Sequence, residues 1–346
     1  MARLTPDRAD QRFVRRLALV VLAGALVAFA YKSEHMLLLA FGAALAGVLL
    51  AAIADGLVKY ARLPRGIGVA IASALLFGAL YLIGWLFTDE LGGELSQLKA
   101  RLPQDWARAQ ATIGQDPLGR LVIDGITQIG HSTHVALAVA GFGVGVGQLA
   151  VNLTILLVGA VFFAAQPKLY VDGLVAMTPP AHRGVARDAL DDIGRSLRLW
   201  LITQIISMLL MGLMIWLGLK WSHMPAAASL GLLGGLSEFI PYVGPTLAMI
   251  PPLVIALAGS GSIAGVLITY TVVRIVQANI ITPLISHRVV RVPPALYLFL
   301  ILSCGAALGT YGLFFSGAIS VAIYTLVERV YLRETLGEDV TLPGEE

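Results

Sequence analysis

Charged residues and cysteine are both scarce in this chain, and their scarcity excludes several classes of protein. Asp, Glu, Lys and Arg make up 13% of its 346 residues, against about 25% in soluble proteins. The one cysteine, Cys304, cannot form an intramolecular disulfide or, by itself, a metal site. No HExxH, GxSxG or Walker motif is present. We therefore expect no enzyme activity, no cofactor and no metal site.

Apolar residues, by contrast, form 58% of the chain and are concentrated in long runs. Runs of about 20 residues can cross the hydrocarbon core of a bilayer as helices. The sequence therefore predicts an all-α polytopic membrane protein with about six full spans. The predicted spans are 17–32, 36–54, 67–88, 135–165, 199–219 and 262–285.

Two further apolar runs are too long for one straight span. We name 225–259 the first long run and 294–327 the second long run. Each would be about 50 Å long as a straight helix, against a core of about 30 Å. Each is also interrupted near its middle, the first at Pro241–Pro245 and the second at Gly305–Gly312. Two re-entrant helical hairpins, each made of two half-length helices, would explain both the length and the interruption.

The positions of Lys and Arg predict the topology. With both long runs as hairpins and the termini in the cytoplasm, 17 of the 24 basic residues fall in cytoplasmic segments and six in outer segments, as the positive-inside rule requires. The basic character therefore reflects orientation in a membrane rather than nucleic-acid binding. In this topology, span 199–219 and the first long run form one helix-plus-hairpin unit, and span 262–285 and the second long run form another. The two units enter the membrane from opposite sides, so together they form an inverted repeat.

The same pattern divides the chain into five parts. The predicted parts are 1–88 (scaffold helices), 89–134 (an extracytoplasmic amphipathic segment), 135–198 (a span and a cytoplasmic amphipathic segment), 199–327 (a transport domain with two opposed hairpins) and 328–346 (a cytoplasmic tail).

Glu238 and Arg274 are the two charged residues predicted to lie deep in the membrane. A lone charge there costs at least about 2.5–3.5 kcal/mol on insertion scales, so we expect the two side chains to pair. Gln277 and Asn279 add amide groups near Arg274. The pair would be either a static contact between a hairpin and a helix or a site where a proton or cation replaces Arg274 during transport.

Three groups of small or helix-breaking residues complete the candidate sites. Glycines at i and i+4 favour close helix packing, and a glycine-rich interruption suits either polyol or cation binding or a simple turn. The packing candidates are Gly141, Gly143, Gly145 and Gly147; the hairpin-tip candidates are Pro241, Tyr242, Gly244 and Pro245 in the first long run, and Gly305, Gly309, Thr310 and Gly312 in the second.

The element Glu238–Pro245, with the sequence EFIPYVGP, resembles the autoinducer-2 exporter family of bacterial membrane transporters over roughly 150–330. Matching features are Leu197, Trp200, Gln204, Asn279, Pro283, Pro180, Arg183, Gly305, Gly309 and Gly312, and departures are Thr203, Pro293 and Ser316–Ala318. The resemblance implies export of small solutes or cation/proton exchange, elevator-like movement of the hairpin domain and a homo-oligomer, in the form of a pentamer.

These observations predict a secondary transporter in a lipid membrane that exports small polar solutes or signal molecules, coupled to protons or cations. One alternative is a sodium/proton antiporter, which needs no organic ligand. Another is a non-transporting oligomeric scaffold, which the polar interruptions disfavour because a scaffold gains nothing from them. In the transport hypothesis Glu238 is the titratable coupling group and Arg274 its neutralising partner.

Overall fold

The structure is a computed structural model. It describes residue 17 and residues 32–85, 146–257, 261–281, 283–284 and 293–337, and this part of the chain contains helices and turns without a β-strand. The predicted span 17–32 and the amphipathic segment 89–134 lie outside the described residues, apart from Leu17 and Lys32.

Ten α-helices organise the described residues. They are α1 Glu34–Ala61, α2 Arg65–Trp85, α3 Val146–Ala165, α4 Pro167–Ala176, α5 Arg183–Trp221, α6 Ala227–Ser237, α7 Val243–Ala248, α8 Ile250–Leu257, α9 Ile263–Val276 and α10 Pro294–Leu326. A short 3₁₀ helix, Pro180–His182, precedes α5, and π-helical turns extend α9 over Gln277–Ile281 and α10 over Val327–Thr335.

By length and apolar composition alone, five helical segments in the described part of the chain could cross a membrane, and one of them, Pro294–Thr335, is interrupted at Gly309. A sixth span is counted if α3 and α4, which meet at an angle of 86°, are taken together. The bend follows Gln166, and Pro167 then begins α4 at a position where proline needs no hydrogen-bond partner. This architecture agrees with the predicted multi-pass membrane protein.

Helix α5 is longer than the span predicted at 199–219, because it begins at Arg183 and continues without a break for 39 residues. At 1.5 Å per residue it is about 58 Å long, so its polar first turns extend beyond a hydrocarbon core. Ion pairs connect these turns to neighbouring helices. They are Arg198–Asp55 (3.0 Å), Arg187–Asp172 (2.6 Å) and Arg329–Asp188 (2.8 Å). Segments predicted to be cytoplasmic thus lie at one end of the bundle.

The first long run is interrupted slightly earlier than the sequence predicted. Helix α6 ends at Ser237 and α7 begins at Val243, so Gly244 and Pro245 lie inside α7 rather than in the break. Proline is tolerated there because the N–H groups of a first helical turn have no intrahelical acceptor. Tyr242, with φ of 65°, is the residue at which the backbone changes direction. The turn brings Gly244 directly against the carbonyl of Ser237, where a β-carbon would overlap it.

The second long run reverses direction at Gly309, whose φ of 63° and ψ of −151° are not helical. A β-carbon added at Gly312 would overlap the carbonyl oxygen of Cys304, and one added at Gly305 would lie 3.3 Å from Cδ1 of Leu313. In a straight helix, residues eight apart are separated by about 12 Å. The two parts of α10 therefore lie side by side, with Gly309 at the turn between them.

Three apolar clusters hold these elements together. One contains residues of α5, α6, α8 and α9, including Met211, Leu230, Ile255 and Val266. A second joins α1, α5 and α10 through Leu45, Trp200 and Phe315, and a third packs α1, α2 and α3. The first two clusters flank the break in the first long run.

Candidate functional site

Glu238 occupies the first position of the break after α6, and it is only 4% exposed. Its Oε1 accepts a hydrogen bond of 2.7 Å from Nη2 of Arg274, and its Oε2 accepts one of 2.9 Å from Nε2 of Gln277. The predicted pairing of Glu238 with Arg274 is therefore present. Both carboxylate oxygens are held by donors from α9 and the turn that follows it, so the charge is compensated although it is buried.

Arg274 and Gln277 also bond to each other, since Nη1 of Arg274 donates to Oε1 of Gln277. The three side chains form a closed ring of hydrogen bonds. Gln277 begins the π-helical turn Gln277–Ile281, and such turns frequently occur at functional sites. The Arg274 side chain is 38% exposed, and a guanidinium carries five N–H donors. Within the ion pair, the exposed partner is therefore the cation and the buried partner is the carboxylate.

Gln204 contributes to the site in a way that sequence reasoning missed. From α5 its Nε2 donates to the backbone carbonyl of Glu238 at 2.5 Å. One turn earlier, the ring of Trp200 packs edge-on against Phe239, with centroids 5.8 Å apart. The spacing of Trp200 and Gln204 at i and i+4 places both on one helix face. That spacing was the available signal, although the sequence alone did not identify what this face contacts.

The close approach of α5 and α6 positions this part of the break. A β-carbon at Gly235 would lie 2.6 Å from the carbonyl oxygen of Met208 and 2.9 Å from Cα of Gly212. Only glycine allows this separation, so the glycine-rich sequence of α6 brings Glu238 within reach of Gln204. On the opposite side, the hydroxyl of Tyr270 donates to the carbonyl of Ala248 at 2.9 Å. This second contact, also missed by sequence reasoning, fixes the chain after the break to α9.

Asn279 does not join this cluster. Its Nδ2 donates to the carbonyl of Ile275 on its own helix at 2.8 Å, and its side chain is exposed. Of the amide groups predicted around Arg274, the structure therefore brings Gln277 to Glu238 and leaves Asn279 apart. Pro283, two residues beyond the π-helical turn, is likewise exposed.

The hairpin-tip candidates occupy different environments. Tyr242 is 51% exposed, with its ring centroid 6.3 Å from that of Tyr297. Other tip candidates divide by exposure, with Gly244, Pro245 and Gly312 buried, Pro241 and Gly305 intermediate, and Gly309 and Thr310 exposed. Phe239 and Phe314 stack with centroids 4.5 Å apart. This aromatic contact joins the residue after Glu238 to the second long run.

The remaining predicted residues lie elsewhere. Gly141, Gly143 and Gly145 are outside the described residues, and Gly147 lies in α3. Within the described part of the chain, no group of three or more His, Cys, Asp or Glu side chains is arranged to hold a metal ion.

Comparison with known proteins gives the family. The model of the AI-2E family transporters matches residues 17–332. The chain is 28% identical over 138 residues to "Putative transport protein YrrI" of Bacillus subtilis (strain 168), a match that covers 40% of this chain and 39% of that protein. It is 23% identical over 159 residues to "Putative transport protein YueF" of the same organism, covering 46% and 42%. Each match thus spans about two fifths of the relative's length. Since the family model covers most of the sequence, the chain belongs to the AI-2E family of membrane transporters.

Proposed function

We propose that the protein is a secondary transporter that exports small polar solutes or signal molecules and couples their movement to protons or cations. The observation that carries this proposal is the buried carboxylate of Glu238, bonded to Arg274 and Gln277 at a break in an apolar run. Polar groups and broken helices at membrane depth are costly, and they persist where they line a pathway or a substrate site.

The hydrogen-bond ring supplies a coupling mechanism. Oε2 of Glu238 accepts from Gln277 while Oε1 of Gln277 accepts from Arg274, so the orientation of the Gln277 amide is fixed by both partners. A proton placed on Oε2 would set two donors, the carboxyl O–H and the amide N–H of Gln277, against each other. If the amide rotated to avoid this, its N–H groups would face the N–H groups of the Arg274 guanidinium instead. Protonated Glu238 therefore cannot retain the whole ring. Protonation would break the bond from Gln277 and remove the negative charge that attracts Arg274, so it would weaken the hold of the site on Arg274.

The partial exposure of the Arg274 side chain suggests the kind of solute. In the ring-closed state the carboxylate of Glu238 is buried, so a ligand that enters the site would meet Arg274 first. A small solute carrying acceptor oxygens, such as hydroxyl or carboxylate groups, would bind these donors and compete with Glu238 for Arg274. Solute binding by Arg274 and proton uptake by Glu238 would then be coupled, because both break the contact between these two side chains.

We further propose that both long runs are re-entrant hairpins within a transport domain formed by 199–327. The turn at Gly309 and the break at Glu238–Tyr242 support this arrangement, as does the stacking of Phe239 on Phe314. The ion pairs around Arg198, Arg187 and Arg329 would face the cytoplasm, where basic residues concentrate. Elevator-like movement and a homo-oligomeric assembly in the inner membrane are parts of the same proposal.

A sodium/proton antiporter is the second candidate, and it is favoured by one feature. Glu238 is the one carboxylate that contacts Arg274 in the described residues, and a carboxylate that alternates between a proton, a monovalent cation and an arginine needs no organic ligand. Ion exchange would then be complete without any solute bound to Arg274.

Flux measurements in proteoliposomes test the proposal and separate the candidates. Wild type and Glu238→Gln would be compared for proton movement after addition of sodium, and then after addition of small hydroxylated or carboxylated solutes. The control is Glu334→Gln, at a carboxylate of the π-helical turn Val327–Thr335. We expect solute-evoked proton flux that is lost in Glu238→Gln and retained in Glu334→Gln. Sodium-evoked flux with the same dependence on Glu238 would establish the antiporter instead. Flux of equal size in wild type and Glu238→Gln would overturn both.

A further inference from the structure

A hydrogen bond far along the sequence from the Glu238 site joins the second long run to the helices that pack against it. Nδ2 of Asn152 in α3 donates to the hydroxyl oxygen of Tyr311 at 2.7 Å. Asn152 is 4% exposed, although it lies in a helix whose other residues are almost entirely apolar. The ring of His35, from the first turn of α1, packs edge-on against Tyr311 with centroids 4.7 Å apart. Tyr311 thus contacts two helices outside the proposed transport domain.

The position of Tyr311 relative to the turn gives this contact its significance. Tyr311 lies two residues after Gly309, the residue at which the chain reverses direction. We name Cys304–Leu313 the tip of the second long run. Gly309 and Thr310 are exposed, whereas Gly312 is buried against Cys304. The side chain of Tyr311 therefore joins this turn to α1 and α3.

The contacts that surround the hydrogen bond between Asn152 and Tyr311 are apolar. Beside the tip, Gly42 and Phe41 of α1 pack against the ring of Phe315 without hydrogen bonds between their side chains. Apolar contacts of this type resist separation, but the burial of apolar surface is less directional than a hydrogen bond. A hydrogen bond weakens steeply when its geometry is lost. The bond between Asn152 and Tyr311 therefore defines one position of the tip.

We infer that Asn152 and Tyr311 form a latch that holds the tip of the second long run against α1 and α3 in this state, and that release of the latch allows the tip to move about Gly309. One hydrogen bond is a suitable latch, because its net contribution changes an equilibrium by about fivefold. That is enough to favour the closed tip and small enough to be overcome when the protein changes state. Asn152 acts through Tyr311 and is a positioning residue.

Hydrogen-exchange mass spectrometry of the purified protein tests the latch. Tyr311→Phe removes the hydroxyl and keeps the ring against His35, while Asn152→Leu removes the donor at similar volume. We expect amide exchange in peptides covering 309–313 to become about fivefold faster in either variant, because local opening limits exchange. The double variant should exchange no faster than Asn152→Leu alone, since the Tyr311 hydroxyl has already lost its donor in that variant.

Tyr270→Phe is the matched control. It removes a tyrosine hydroxyl that makes a 2.9 Å bond to Ala248, in the first long run. This variant should accelerate exchange near 248 and leave the tip unchanged, and peptides from α5 should exchange at the wild-type rate throughout. Unchanged exchange at 309–313 in both latch variants, or equal acceleration there by Tyr270→Phe, would overturn the inference. The measurement needs no transported solute, so its result is independent of the proposed function.

Discussion

Arg274 places its Nη2 2.7 Å from Oε1 of Glu238, although the two residues are 36 positions apart. The contact joins the break in the first long run to the last turn of the apolar helix α9. It neutralises a carboxylate that is almost completely buried, and it does so with a guanidinium that keeps 38% of its side chain accessible. The burial of Glu238 and the accessibility of Arg274 together underlie the account of coupling given above.

The stability of this pair should depend strongly on which partner is removed. Arg274→Gln leaves the Glu238 carboxylate buried without its cation, which costs about 3–5 kcal/mol for a fully buried pair. Because Arg274 is 38% exposed, we expect a loss at or below about 3 kcal/mol. Adding Glu238→Gln removes the uncompensated charge and should restore more than half of that loss. Thermal denaturation in detergent would measure both effects, and a double variant less stable than Arg274→Gln would contradict them.

The glycine contact between α5 and α6 should tolerate no added methyl group. Gly235→Ala would place a β-carbon 2.6 Å from the carbonyl of Met208, and overpacking of this kind costs about 1–3 kcal/mol. Gly194→Ala is the control, because Gly194 also lies in a helix but has no atom within 4 Å of the added carbon. Helix propensity should make that variant neutral or up to about 1 kcal/mol more stable. Equal denaturation midpoints for the two variants would show that the helices are not in close contact.

The reversal of α10 at Gly309 can be tested by a disulfide. A β-carbon at position 305 would lie 3.6 Å from Cβ of Leu313, within the separation that disulfides require. In a Cys304→Ser background, Gly305→Cys with Leu313→Cys should therefore oxidise to a cross-link inside one chain. Ala186→Cys with Gly194→Cys, also eight residues apart but in the continuous helix α5, should not. Free-thiol titration and peptide mapping would detect the bond, and its absence from the 305/313 pair would indicate a continuous helix.

Arg329 should matter more for stability than Arg187, although both form ion pairs near the same end of the bundle. Its side chain is 12% exposed, with three carboxylates within 4 Å: Asp188, Asp192 and Glu334. Arg187 pairs only with an exposed partner and is itself 47% exposed. Arg329→Gln would leave like charges facing one another, so we expect a loss of about 1–3 kcal/mol. Arg187→Gln should change stability by less than about 1 kcal/mol. Denaturation midpoints in the reverse order would contradict this ranking.

Much of the architecture was predictable from apolar run lengths. The described helices overlap the predicted spans 36–54, 67–88 and 262–285 and begin within two residues of them, because hydrophobic length limits where a membrane helix can lie. Helix α1 continues seven residues past the predicted end at 54. The start of α5 was less predictable. Arg183–Arg198 is polar enough to indicate an interfacial segment, but whether it bends away from the span depends on its packing and on its ion pairs with other helices.

The candidate site was predictable in its charges and not in its surroundings. Pairing of Glu238 with Arg274 followed from the cost of isolated charges in a membrane. The part played by Gln204 depends on how closely α5 and α6 approach, which is set by glycines whose contacts the sequence does not specify. Asn279 carries the same kind of amide group as Gln277. It lies two positions further along the π-helical turn, however, and its amide bonds to the carbonyl of Ile275 rather than to Glu238. Helical phase across a π turn is not evident from sequence periodicity.

The most direct test of the central claim is whether Glu238 changes its protonation state during transport. Infrared difference spectroscopy of the reconstituted protein would follow the C=O stretching band of protonated carboxyl groups as the transported solute or ion is added. We predict a band that appears in wild type and in Glu334→Gln and is absent in Glu238→Gln. A band that is unchanged in Glu238→Gln, or transport in wild type without any such band, would contradict the account.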